Sequence, residues 1–315
     1  MSLYGINASR RNVARTSAAR ALLGTLLVLA ATASMAEEKV LDRSFTVSPG
    51  GLLTVNADGA SISVSGGDSD QVVVHMVAKA SQKELDELKL SASQSEGGVT
   101  VEMLRSERRG WFNWGSWNME ADIQVTVPRS FRVEAKTSGG DVRLESVAGP
   151  SRIRTSGGNL VAKQVKGDLD GATSGGEVRL ESVEGLIRVH TSGGNIHAAT
   201  VRGDINASTS GGDVRLLRID GKIRASTSGG SVRCELVGAN RGISAITSGG
   251  SIRLTMPRDI TGTLDAESSG GQITSDFPVA TTRWAEHRLN GTINGGGEKI
   301  YVHTSGGGIT LSAVN

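Results

Sequence analysis

The tetrapeptide Thr-Ser-Gly-Gly begins at Thr137, Thr155, Thr173, Thr191, Thr209, Thr227, Thr247 and Thr304, and a Ser-Ser-Gly-Gly form begins at Ser268. The first five intervals are 18 residues, the next two 20 and 21, and the last 36, as if one divergent repeat were hidden in it. A fixed period of this length is the mark of an architecture built by stacking. Within one period, Ile196 and Ala198 alternate with His197 and Ala199, and Val201 follows. Gly203 interrupts, and then Ile205 and Ala207 alternate with Asn206 and Ser208. The same apolar set recurs as Val142, Leu144, Val147, as Val178, Leu180, Val183, Ile187, Val189, and as Val214, Leu216, Ile219, Ile223. Period-two alternation rich in β-branched residues predicts strands with one buried face. The glycines predict corners, where positive φ or close backbone approach is cheap.

Two short strands cannot bury a face alone, because the entropy of ordering a repeat exceeds what its few inward side chains return. Each repeat must pair with the repeats above and below. The fold class expected is therefore all-β: a single-stranded parallel β-solenoid with rungs of about 18 residues. Thr would stack on Thr and Ser on Ser, forming hydroxyl ladders along one corner.

The chain before the repeats differs. Residues 52–55, 61–65, 71–78 and 99–104 read as strands, and Ser81 with Glu84 reads as a capping box before a short helix reaching about Lys89. Residues 122–127 and 131–135 lead into the first rung. The expected organisation is 1–36 a signal peptide, 37–120 a β-rich N-terminal cap region with a Trp-rich loop, and 121–315 the repetitive solenoid. An uncapped solenoid would expose a sheet edge, which gives the cap its purpose.

Arg10, Arg11, Arg15 and Arg20, the apolar run from Ala21 to Ala33, and Ser34-Met35-Ala36 form a secretory signal pattern with cleavage near Ala36. The run is shorter than the ~20 residues that span a bilayer. No later segment is apolar enough to cross one, so no transmembrane span is expected after signal removal. The localisation expected is periplasmic, secreted or cell-surface. The whole chain has 34 basic and 32 acidic residues, and removing four Arg leaves 30 against 32. The basic balance belongs to the leader, and nothing points to nucleic acid. Cys234 is the only cysteine, so no intrachain disulfide forms. Its place in a strand held elsewhere by Leu or Ala predicts an inert, buried thiol.

Four candidate features carry chemistry. Trp111, Phe112, Trp114 and Trp117 place four of ten aromatics within seven residues, as a loop that stacks on sugar rings, docks on a partner or touches a membrane, or as a lid on the end of the solenoid. Trp284 could serve similarly at the other end. Arg143, Arg179, Arg215, Arg233 and Arg253, with His197, share one outward position that suits an anionic polymer. Glu145, Glu181 and Glu235 lie two residues on, and Asp141, Glu177 and Asp213 two residues back, so cross-strand charge pairing is the competing reading. Calcium-binding β-rolls need Gly-Gly-x-Gly-x-Asp, but Val142 and Leu144 stand where the third Gly and the Asp belong. The five histidines lack metal-ligand spacing. No cofactor is expected, and no catalytic set of the Ser-His-Asp or Cys-His kind is recognisable.

Gly51-Leu52-Leu53-Thr54-Val55-Asn56, with Gly59, Ile62 and Val64, resembles the start of the bacterial adhesin-like domains of the DUF4097 type. So does Asp122-Ile123-Gln124-Val125-Thr126-Val127-Pro128 leading into Thr137-Ser138-Gly139-Gly140-Asp141-Val142. The resemblance spans roughly residues 40–315 and implies an exported or membrane-attached, β-repetitive protein with no catalytic residues to carry over. The function expected is a non-catalytic, adhesin-like binding or scaffold protein of the cell envelope, with an envelope protein or glycan as partner. A regulatory or sensor partner of an envelope complex is the second reading. A polysaccharide-acting β-helix enzyme, needing Asp, Lys and Arg beside a groove, is the third.

Overall fold

The computed structural model describes residues 37–106, 119–285 and 287–314. The signal-peptide expectation for residues 1–36 falls outside them. Each repeat contributes one strand to each of two stacked sheets, of 13 and 14 strands. Ile187–His190 lies in the larger sheet, Thr191–Gly194 turns the corner, and Ile196–Arg202 enters the smaller one. Successive rungs of the 18-residue repeats pair in parallel at a constant offset, as in Ile187 with Ile205 and Ile196 with Val214. The parallel β-solenoid read from the repeat is the observed fold. At about 4.8 Å between strands, the stack is roughly 60 Å long. Its interior is a continuous apolar core.

Leu180 and Val183 both point inward, although strict alternation would turn one of them out. Ser182 between them has φ 57°, a left-handed residue that adds one outward position and restores the inward set. Ser146, Gln164, Thr200 and Arg218 do the same in neighbouring rungs, with φ between 53° and 58°. None is glycine, so each of these five rungs carries a strain of about 1 kcal/mol or more there.

The double glycines work otherwise than positive φ would have it. Left-handed φ belongs to mid-repeat glycines such as Gly185 (137°) and Gly203 (126°). At the tetrapeptide corner the constraint is contact: a Cβ on Gly194 would sit 2.0 Å from the carbonyl oxygen of Gly176. Thr does stack on Thr, as Thr227 with Thr247 and Thr247 with Thr304, but the expected ladder of hydroxyls is corrected. Thr191 is buried, and its hydroxyl donates to the Gly176 carbonyl at 2.8 Å, not to another Thr. Gly194 N–H donates back to that hydroxyl at 3.3 Å. The unit recurs from Thr155 to Thr304 and, through Ser268, to the last rung. The neighbouring Ser side chains are exposed.

Both ends of the stack are closed by a rung placed out of sequence order. Leu52–Ala57 and Ser61–Gly67 pair with Arg132–Thr137 and Val142–Glu145 on one side, and with Gly98–Arg105 and Glu120–Pro128 on the other. At the far end, Lys299–Thr304 and Ile309–Val314 lie between the rung of Ile243–Thr247 with Ile252–Pro257 and the rung of Gly262–Ser268 with Ile273–Ser275. The 36-residue interval therefore hides no repeat. It holds an antiparallel hairpin, Val279–Ala285 with Arg288–Ile293, which pairs onto Gly262–Ser268 before the chain returns inside.

At the N-terminal end, Glu37–Thr46, a strand the sequence pattern did not announce, pairs antiparallel with Gln71–Ala80, and Leu88–Ser95 with Gly98–Arg105. The helix is shorter than expected, Gln82–Glu87, and Glu84 accepts from the N–H and hydroxyl of Ser81. Among the described residues, no helix is long and apolar enough to cross a membrane.

Candidate functional site

Among the described residues the inward positions of the rungs are filled by packed apolar side chains, which leaves the outer faces and edges as candidate sites. On the smaller sheet, parallel register aligns Arg143, Val161, Arg179, His197, Arg215, Arg233 and Arg253 into one column across seven adjacent strands. The structure thus brings the five arginines named from the sequence together, with Val161 as the one apolar interruption. The column continues past Arg253 into Thr310 and Thr274.

The flanking acids divide along the rod. In the first half, Glu177 contacts Arg179 at 3.2 Å and Glu181 contacts Lys163 at 3.5 Å. In the second half, the positions flanking Arg215, Arg233 and Arg253 are Asp213, Ser231 and Ser251 on one side and Leu217, Glu235 and Thr255 on the other. Asp213 accepts the N–H of Ser231 at 2.7 Å. Asp141 and Asn195 likewise accept from the next rung's backbone. Asp141, Asn195 and Asp213 thus clamp adjacent rungs, each through one side-chain oxygen. Arg215, Arg233 and Arg253 form no ion pair with a described residue. The positive field reaches His197, whose pKa is pushed down first by burial and then by Arg215 and Arg179, with Glu177 opposing.

The larger sheet arranges charge differently. Its outer column runs Glu134, Arg152, Asp170, Arg188, and Asp170 pairs with Arg152 at 3.4 Å and Arg154 at 2.7 Å. At its C-terminal end Lys299 lies 2.9 Å from Asp265 and 4.8 Å from the centre of the Tyr301 ring. Opposite signs alternate here, as cross-strand pairing favours.

A groove of about 420 Å³, which sequence reasoning missed, follows the left-handed residues along one edge, lined by Gln164, Lys166, Ser182, Glu184, Thr200 and Arg202. Its signal was present in the sequence as the three-residue step from Leu144 to Val147, but the backbone sign of the intervening residue is not legible from polar residue types. Trp111, Phe112, Trp114 and Trp117 lie outside the described residues, as does the side chain of Trp284. The segment holding the first four joins Gly98–Arg105 of the larger sheet to Glu120–Pro128 of the smaller. Among the described residues, no group of three or more His, Cys, Asp or Glu is placed to hold a metal ion. Cys234 is fully buried, and burial pushes its thiol pKa up to about 12.

A family model described as Toastrack DUF4097 matches residues 52–312. Among solved structures, a candidate adhesin from Bacteroides fragilis is similar at 13% identity, covering 87% of this chain and 97% of its own, with a TM-score of 0.41. A candidate adhesin from Parabacteroides merdae is similar at 10% identity, covering 87% and 96%, with a TM-score of 0.35. A candidate cell adhesion protein from Clostridium sporogenes is similar at 11% identity, covering 88% and 100%, with a TM-score of 0.28. No curated protein matches.

Proposed function

Because the chain belongs to the Toastrack DUF4097 family, we propose that it is an exported, non-catalytic binding rod of the cell envelope, adhesin-like in its action. The single observation that carries this reading is the in-register display of outward side chains on consecutive parallel strands, from Arg143 to Arg253. A filled core and an in-register polar face suit recognition of an extended partner. Catalysis would call for convergent groups in a cleft. Of the acids beside the column, Asp141 and Asp213 accept backbone N–H groups, and Glu177 and Glu181 pair with Arg179 and Lys163. Residues 1–36 would direct export and be removed near Ala36.

The test has two arms. Purified protein is incubated with detergent-solubilised envelope and with isolated envelope polymers, and the retained material is identified. In parallel, the same polymers are assayed for new reducing ends. Specific retention without cleavage is the expected outcome; turnover of any polymer overturns the reading. Recovery of the protein from the envelope or medium, with a new N-terminus near residue 37, tests export.

A further inference from the structure

We propose that the outer face of the smaller sheet binds a linear acidic polysaccharide lying along the rod axis, with Arg215, Arg233 and Arg253 engaging its carboxylates. This rests on the binding reading above and names its ligand chemistry.

Like charges directly opposite each other on paired strands are unfavourable, and opposite charges are favourable. This molecule uses the favourable arrangement elsewhere, in the Arg152–Asp170 pairing of the larger sheet. On the smaller sheet it does the reverse. Arg215 is directly opposite Arg233, and Arg233 directly opposite Arg253. Arg179 lies two strands further on, past His197, and there Glu177 contacts it at 3.2 Å. The fold gains nothing from such a stack, since an acidic residue at any of these outward positions would pair with its neighbours. Water solvates these exposed guanidinium groups, and a ligand that brings negative charge at repeated intervals would supply the partners the protein does not.

The geometry selects the ligand's shape. The three arginines lie on consecutive strands about 4.8 Å apart, so their charges form a line along the rod. A compact anion would meet one or two of them, whereas an extended polymer meets all three and gains from multivalency. A guanidinium fork matches a carboxylate in two parallel hydrogen bonds. Ser231, Ser251 and Thr255 beside the column, and Thr310 at its end, supply hydroxyl groups suited to sugar hydroxyls. Asp213 and Glu235 are the acidic residues of the flanking columns here, and they leave the arginines in excess.

The experiment measures binding of the purified protein to polygalacturonate, with dextran as the neutral polymer and polyphosphate as the non-carboxylate polyanion. The triple variant Arg215→Gln, Arg233→Gln, Arg253→Gln is compared with a charge-matched set on the opposite sheet, Arg132→Gln, Arg188→Gln, Arg224→Gln. Circular dichroism and thermal melting verify folding of both. The expected result is binding to polygalacturonate that weakens steeply with salt and falls at least tenfold in the first variant but less than twofold in the second. A triple Arg→Lys variant keeps the charge but loses the fork, and is expected to fall between wild type and the Gln set. Equal losses in the two Gln sets would show that net charge alone acts, and overturn the site. Tighter binding of polyphosphate than of polygalacturonate overturns the carboxylate assignment. If polygalacturonate is not bound while envelope material is still retained, the ligand is wrong and the binding rod stands; if nothing is retained, both fall.

Discussion

The hydroxyl of Thr191 donates to the carbonyl oxygen of Gly176, one rung away, at 2.8 Å. Thr191 also receives the N–H of Gly194, so one buried side chain satisfies two backbone groups and ties adjacent rungs at the corner. Thr191→Val keeps shape and β-branching but leaves both groups unsatisfied, and is expected to destabilise the protein by about 1–3 kcal/mol. Thr191→Ser keeps both bonds and should cost less. Chemical denaturation of the two variants decides it; a Val variant as stable as the wild type would remove the corner's structural explanation.

Adjacent glycines in the same corner should respond very differently to alanine. A Cβ on Gly193 comes no closer than 3.6 Å to the Gly175 carbonyl oxygen, while one on Gly194 lies 2.0 Å from that of Gly176. Gly193→Ala is expected to change stability by no more than about 0.5 kcal/mol. Gly194→Ala must push two backbones apart and should cost about 3 kcal/mol or more. Equal melting temperatures for the pair would contradict the close-contact account.

The repeat made the core legible because the solenoid imposes one environment per position. Val178, Leu180, Val183, Ile187 and Val189, read as inward, are all buried. What escaped the sequence was order in space. The Thr304 repeat resembles every other, yet it pairs with both the Ile243–Thr247 and Gly262–Ser268 strands, between rungs that precede it. Identical repeats carry no label saying which neighbour each will choose, so such an insertion leaves no local trace. The arginine column was visible as spacing, but its pairing state was not. Whether Glu177 reaches Arg179 while Arg233 is left without an ion pair depends on rotamers and register, not on residue type.

Thr200 sits at φ 58°, a conformation that a β-branched residue adopts at a cost. Its hydroxyl accepts a hydrogen bond from Arg218 in the next rung, an exposed contact of small value. Asn tolerates left-handed φ far better, so Thr200→Asn is expected to stabilise the fold by about 0.5–1 kcal/mol. A shift of the denaturation midpoint to higher denaturant is the readout. No gain would mean that the Arg218 contact already offsets the strain.

Cys234 lies opposite Leu216 and Leu254 in the core, and burial raises its pKa to about 12. At pH 8 only about one thiol in ten thousand would be ionised, and that one is shielded from reagent. Labelling by a thiol reagent should therefore follow the opening of the rod. Its rate is expected to rise with denaturant in step with unfolding, and rapid labelling of the native protein would contradict the packing.

His197 lies between Arg179 and Arg215 on the paired strands, with Ala199 on its own strand, Asn195 just before that strand and Glu177 the nearby acid. Burial first, and then the two arginines, lower its pKa below the free value of 6.5. The unfolded chain therefore binds the proton more readily than the folded one. This contribution to stability is fully present above about pH 6.5 and is lost as pH falls through the folded value. His197→Gln should flatten stability over that window. An NMR titration is expected to place the histidine below 6.5, and a value at or above it would deny the positive field. Polygalacturonate lying along the column would neutralise that field, so the same titration repeated with the polymer bound should move the pKa back up. A pKa unchanged by bound polymer would place the ligand away from Arg179 and Arg215.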